Sequence, residues 1–477
     1  MTTIAARRGS PSGVLTLKPW PTTLFAALFG FFLGLALVKW GNPVVLDHLV
    51  RDSSRIPGFG IQDQSAGRDW QRSLFDPWPI KHGLAMLVGL AVLGAGVYFY
   101  SRRQARSGSF STRTNDAWPL LALFGGWFGW QVLSSFQSVH PLLSQITLLH
   151  FGGCAACLLA GFLLLGRAPN LTGFWIGLAG GLCLVYWQGL GQHYGGLEAL
   201  RRFIQEQSGP QSYPEELIRR IMRDRIFSTL VYPNALAGVI LLLHPVVTVA
   251  MWNWTARMGN VFRGVITGLF AYTGLACLYW TGSKAGHLIA VILAVAVILN
   301  SRISRCYKNG IIIAVIGMGL AGFIVKYAQY FRGGATSVSA RVTYWKSAIE
   351  IAVDNPVFGV GPGAFSIPFQ KIKPPEAEMA RLVHNDYLEQ AADSGFCGFI
   401  LYGSFIGSSM VLLYRKSRSA NLWYFFPVWL GLFGWTIQGL VEFGLYIPAL
   451  AWPTFALIGL LAGIDESPSR SVSRSAE

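Results

Sequence analysis

A chain that repeatedly offers about 20 mainly apolar residues in a row has few folds open to it. The bilayer core holds no water to satisfy backbone N–H and C=O groups, so such segments must close their own hydrogen bonds as helices. Twelve runs of this kind occur, at about 21–39, 82–100, 117–136, 143–165, 171–189, 233–251, 263–281, 284–300, 310–328, 396–414, 422–440 and 445–463. The run at 284–300 is the weakest, being short and opening with Lys284 and His287. Only 13% of the 477 residues are charged and 52% are hydrophobic, whereas soluble domains carry about 25% charged residues. The 17 Trp and 55 Gly fit the same class, since Trp collects at membrane interfaces and Gly is frequent in membrane helices. The expected fold is an all-α polytopic membrane protein of about twelve transmembrane helices with a large helical periplasmic loop.

Orientation follows from where Lys and Arg gather in short loops. Arg102/Arg103/Arg106/Arg113, Arg167, Arg257/Arg263, Arg302/Arg305/Lys308, Arg415/Lys416/Arg418 and Arg470/Arg474 all fall on the side of the N-terminus if there are twelve spans. Both termini are then cytoplasmic: a segment 1–20 and a tail 464–477. Spans one to nine cover 21–328 and spans ten to twelve cover 396–463, with long loops on the opposite side at about 40–81, 190–232 and 329–395. Long loops are translocated largely regardless of charge. The arginines of the second loop therefore need an explanation other than topology. The first apolar run, behind Arg7, Arg8 and Lys18, has no small-residue cleavage site and reads as a membrane anchor, not a signal peptide.

A net charge of +16 does not point to nucleic acid, because the basic residues are divided among short loops. Membrane orientation explains most of them, and the remainder suit an anionic lipid substrate. Cys154 and Cys157 form a CxxC inside an apolar run, where small residues at a helix contact are a better account than a redox or metal site.

The chemistry-bearing residues concentrate in the third loop, a polar island from Ser339 to Gly398 between apolar runs. Its first part has Val342, Trp345, Ile349 and Ala352 at helical spacing and stops at Asp354-Asn355-Pro356, suggesting a surface helix with Trp345 at the interface. In VFGVGPGAF, Gly359, Gly361 and Gly363 suit a tight turn whose N–H groups approach an anion, or a plain loop. A second helix is expected from Glu376 to about Ser394, closed by Gly395, with an apolar stripe of Met379, Val383, Tyr387 and Ala391. His384 lies at the edge of that stripe beside Arg381, where an imidazole can take a proton near neutral pH.

The second loop reads as two short amphipathic helices joined at Ser208-Gly209-Pro210. On a helical wheel Leu217, Ile218, Ile221 and Met222 share one arc, Arg219, Arg220 and Arg223 the opposite one, and Arg225 falls on the apolar side. A buried guanidinium needs a partner. Three are open to it: an acid such as Asp224 or Glu350, a helix break before it, or a phosphate bound bidentately. His150, His244 and His287 lie in or near spans, where polar groups face the bundle interior. His48, His82, His140 and His193 have no nearby acid–base partner, and no metal, nucleotide or nucleophile-elbow motif occurs.

Several blocks in order, RIFSTLVYPNALAG, TGSKAGH, RVTYWKSA, DNPVFGVGPGAF and HNDYLEQAADSGFCG, give the stretch from Arg225 to Gly407 a specific character. It resembles the O-antigen ligase and polymerase superfamily. That resemblance implies a bacterial inner-membrane glycosyltransferase working on the periplasmic face, without metal or cofactor. The donor would be an undecaprenyl-diphosphate-linked glycan and the acceptor a saccharide or lipid A-core hydroxyl. His384 would help activate the acceptor hydroxyl, while Arg225 and Arg341 would bind the departing diphosphate. The substrate-binding set expected around them is Lys284, Arg381, Arg223, Asn385, Tyr387, Gly361 and Gly363. Lys284 stands where members commonly have Arg, which keeps the cation but loses the bidentate fork. A polymerase of the same superfamily is the near alternative. A transporter of an anionic solute would suit the buried polar residues Lys284, His244 and Glu442, but the two halves show no repeat and the polar residues cluster in loops.

Overall fold

A computed structural model describes residues 19–48, 74–105, 117–199, 201–202, 222, 224–332, 336–419 and 422–464. Among them the chain is helical with no strand. The first helices are α1 (Pro19–Lys39), α2 (Ile80–Ala105), α3 (Trp118–Ser135), α4 (Pro141–Leu163) and α5 (Thr172–Gly191). Then follow α6 (Pro233–Trp254), α7 (Asn260–Trp280), α8 (Lys284–Asn300), α9 (Arg305–Arg332) and α10 (Thr336–Asp354). The last are α11 (Ser366–Ile372), α12 (Asp386–Ser419), α13 (Phe425–Gln438) and α14 (Pro448–Gly463).

Each of the twelve apolar runs falls on a helix, but among the described residues eight helices, not twelve, are long and apolar enough to cross a membrane: α1, α2, α4, α5, α6, α7, α9 and α12. Of the others, α8, α13 and α14 have 17, 14 and 16 residues. Every residue of α14 is buried. A helix wrapped by protein need not match the bilayer thickness, because its ends meet other chain segments instead of lipid. Lys416 holds one of those ends, its Nζ lying 3.0 Å from both Ala462 O and Ile464 O.

Small residues set the two closest helix contacts. Lipid tails are as apolar as the side chains, so membrane helices associate through close packing. Gly34 of α1 meets Gly177 and Gly181 of α5 so tightly that a methyl on Gly34 would overlap the Gly177 carbonyl oxygen. Gly161 of α4 and Gly459 of α14 make a contact of the same kind. At the other extreme, α9 packs chiefly on α8 and is only 6% buried over its most apolar window.

Three irregular segments converge at the start of α6, α8 and α12. Residues 225–232 leave the helical path, with positive φ at Ser228 and Val231, and their backbone is satisfied by the side chain of Gln192. Gln192 Oε1 accepts from Phe227 N (2.9 Å) and Ser228 N (2.7 Å), and Nε2 donates to Ser228 O (3.2 Å). Arg225 is therefore not on the apolar face of a helix as the wheel suggested; the chain has already broken from helical geometry there. Arg219, Arg220 and Arg223, expected on an amphipathic helix, lie outside the described residues.

The helix expected from Glu376 starts ten residues later, at Asp386. The reason is Asn385, whose Oδ1 accepts from Tyr387 N and Leu388 N, both at 3.0 Å, and caps the helix. Gly395 does interrupt it, with φ +70°, but as a kink after which α12 runs on to Ser419. In α10 the buried face is Tyr344, Ser347, Ala348, Ile351 and Ala352, whereas Val342 and Ile349 of the expected stripe are exposed. That face packs on α11 and the loop before it, with Tyr344 edge-on to Phe369 at 5.6 Å.

Candidate functional site

The site is assembled by two segments that the chain stitches together. Asp386 N donates to Gly439 O at 2.7 Å, and the Asp386 carboxylate accepts from Leu445 N at 3.2 Å. These bonds lock the turn between α13 and α14 against the first turn of α12. Val383 N donates to Glu389 Oε2 at 2.5 Å. Between Val383 and the Asn385 cap, His384 is forced into the left-handed region at φ +57°, uncommon for any residue with a Cβ.

That conformation aims the imidazole at Glu442. His384 Nδ1 lies 3.3 Å from Glu442 Oε2, while Arg341 from α10 bonds Glu442 Oε1 through its terminal nitrogen. Asn234, in the first turn of α6, donates from Nδ2 to the same Oε1 at 2.5 Å. The other end of Asn234 accepts from Arg225, 2.8 Å from its terminal nitrogen, and Arg225 Nε donates to Thr281 O at 2.6 Å. Trp345 Nε1 reaches His384 O at 3.4 Å, and Phe443 stands edge-on to the imidazole at 4.6 Å. Five residues from distant parts of the chain thus form one hydrogen-bonded chain: Arg225, Asn234, Glu442, Arg341 and His384.

Burial alone would raise the Glu442 carboxyl, but Arg341 first, then His384 and Arg225, outweigh it and hold the group below its ordinary value of 4.5. A carboxylate facing Nδ1 places the ring proton there and leaves Nε2 as the atom able to accept another. Arg341 Nε is buried with no acceptor.

The expected site residues divide accordingly. His384 and Arg341 meet directly on Glu442, and Arg225 joins through Asn234. Asn385 caps α12, Tyr387 Oη reaches Thr436 O at 3.3 Å, and Arg381 is exposed. Lys284 lies against α9, its Nζ 3.6 Å from the Tyr330 ring centroid. Gly361 and Gly363 both adopt positive φ, but both N–H groups are taken by the chain's own Asp393, one by its backbone carbonyl and one by its side chain. Gly363 N lies 2.6 Å from Asp393 Oδ2, and Gly361 N bonds the Asp393 carbonyl at 2.8 Å. Arg223 lies outside the described residues. Two members of the network were not expected as site residues: Glu442, whose lone charge between apolar runs suggested a transport path, and Asn234. Among the described residues no cluster of three His, Cys, Asp or Glu is arranged to hold a metal ion.

A family profile described as O-antigen ligase matches residues 269–403. Over that stretch, less than half of the 477-residue chain, the protein is similar to the O-antigen ligase family. The match takes in Lys284, Arg341 and His384, and stops short of Arg225, Asn234 and Glu442 on either side. Members of the O-antigen ligase family are membrane glycosyltransferase-like enzymes. No curated protein matches the chain in sequence.

Proposed function

We propose that this protein is a membrane glycosyltransferase that moves a glycan from undecaprenyl diphosphate to an acceptor hydroxyl at the periplasmic face of the bacterial inner membrane. The observation that carries the reading is the union of one imidazole and two guanidinium groups through Glu442, inside a chain similar to the O-antigen ligase family over residues 269–403. His384 Nε2 takes the acceptor hydroxyl's proton as that oxygen bonds to the sugar's anomeric carbon. The carbon–oxygen bond to the diphosphate breaks, and its electron pair leaves with the lipid diphosphate. Arg225 and Arg341 stabilise the growing negative charge in a site of low dielectric. Arg341 Nε, lacking a protein acceptor, is the donor best suited to a phosphate oxygen.

Twelve spans with cytoplasmic termini would put this site and the loops 40–81, 190–232 and 329–395 on the periplasmic side. Cysteine accessibility at exposed Arg381 tests that: labelling from the cytoplasm alone would refute it. The leading acceptor is a lipid A-core or other saccharide, as for a ligase. A polymerase would instead extend the glycan itself. In a deletion strain, carrier-linked polymer that is never attached identifies the ligase, and single repeat units identify the polymerase. Purified protein that cannot transfer carrier-linked glycan to any saccharide or lipid acceptor would overturn the reading.

A further inference from the structure

The first two turns of α12 bury a polar face. Asp386, Glu389, Gln390 and Asp393 recur at i, i+3, i+4 and i+7, the spacing of one side of a helix, and all four are fully buried. Asp386 holds the turn between α13 and α14, and Glu389 holds Val383 N. Gln390 and Asp393 have other partners.

The Asp393 carboxylate joins three segments, each of which carries one member of the Glu442 network. Oδ2 accepts from Gly363 N at 2.6 Å and Oδ1 from Phe365 N at 3.2 Å, in the loop that follows α10, the helix of Arg341. Oδ2 also accepts from Tyr446 Oη at 2.7 Å, in the same turn as Glu442. Asp393 itself lies on α12, which begins just after His384. Tyr446 Oη accepts in turn from Gln390 Nε2 at 3.0 Å. Gln390 Oε1 accepts from Trp127 Nε1 at 2.8 Å and from Gln131 Nε2 at 2.9 Å, both on α3. Every side-chain polar atom of Asp393, Gln390 and Tyr446 is thereby paired. A fully satisfied buried network admits one arrangement, because any shift leaves a group unpaired at low dielectric. An apolar face in its place would hold the helices together without fixing their register.

We propose that Asp393 and Tyr446 are positioning residues for glycan transfer. Their hydrogen bond fixes the turn bearing Glu442 against α12 and the loop after α10, and so sets where Arg341 and His384 stand about one carboxylate. This rests on the function proposed above and extends its machinery beyond the groups that would meet substrate. The glycine-rich loop then serves to anchor α10, its Gly361 and Gly363 N–H groups being taken up by Asp393.

The test uses full-length protein in detergent, assayed for transfer from carrier-linked glycan to a saccharide or lipid acceptor. Tyr446→Phe deletes the hydroxyl and keeps the ring, which packs edge-on to Phe151 at 5.7 Å. Its kcat should fall about tenfold, the effect of losing one buried hydrogen bond, with donor KM little changed. In a Glu442→Gln background the same substitution should change kcat by about twofold at most, because no placed carboxylate remains to be displaced. A merely structural role would lower kcat by the same factor in both backgrounds, and that result would overturn the proposal. So would a wild-type kcat for Tyr446→Phe or for Asp393→Asn, which puts an amide in place of one acceptor oxygen. Should Asp393→Asn fail to fold, Tyr446→Phe in the two backgrounds decides alone. Either refutation leaves the glycosyltransferase reading standing, whereas wild-type protein that transfers no glycan would remove that reading and this inference with it.

Discussion

Arg341 and His384 take separate oxygens of one carboxylate: Arg341 bonds Glu442 Oε1, and His384 Nδ1 lies 3.3 Å from Oε2. One glutamate therefore sets the spacing between the proposed base and a proposed diphosphate ligand.

Glu442→Gln keeps the shape and removes the charge. Transfer should fall by about a hundredfold or more, the range for losing a well-placed acid–base contribution. The fold should lose about 2–3 kcal/mol, because the partly buried Arg341 is left opposite a neutral group. Transfer rate and thermal midpoint of the purified variant check both, and wild-type kinetics would exclude Glu442 from the site.

The same carboxylate predicts an acid limit. A group whose folded-state value is depressed stabilises the fold fully above its unfolded value, and that contribution is lost as pH falls through the folded value. For Glu442 the window lies below 4.5. Wild-type Tm should drop more steeply than that of Glu442→Gln between about pH 5 and pH 3. Parallel curves would mean that the Arg341 pair does not stabilise the fold.

His384 offers a way to separate folding from chemistry. At φ +57° a glycine is less strained than any L-residue with a Cβ. His384→Gly should keep thermal stability within about 1 kcal/mol of wild type while transfer falls by about a hundredfold or more. Equal loss of stability and transfer would make the residue architectural.

Arg225→Lys keeps the charge but cannot bond Thr281 O and Asn234 Oδ1 together as the guanidinium does. Transfer should drop by about tenfold. Normal transfer by this variant and by Arg341→Lys would reduce both arginines to diffuse charge.

In the helix contacts, Gly34→Ala drives a methyl into the α5 backbone and should cost about 1–3 kcal/mol or more. Gly180→Ala, with nothing within 4 Å of the added carbon, should be near neutral. Equal melting temperatures for the two variants would contradict the α1–α5 packing.

Apolar periodicity made the helices legible in the sequence, because burial in lipid or protein requires it in either case. The motif blocks singled out His384, Arg341 and Arg225, which the fold joins in one hydrogen-bonded network through Glu442 and Asn234. The start of α12 was not, since a helical stripe through Met379 and Val383 says nothing of the Asn385 side chain competing for the backbone N–H groups. The glycine spacing suggested a turn open to an anion or a plain loop, and could not reveal that the Gly363 N–H is taken by Asp393 of the chain itself. Glu442 was visible as a lone acid between apolar runs. Its partners come from α6, α10 and the segment before α12, and only the folded chain brings them within reach.

Gln192 binds no group in the network, yet it clamps three backbone atoms of the segment that leads from Arg225 to Asn234. A random screen for inactive alleles should therefore recover Gln192 beside the arginines. Its replacement would misplace both ends of that bridge at once.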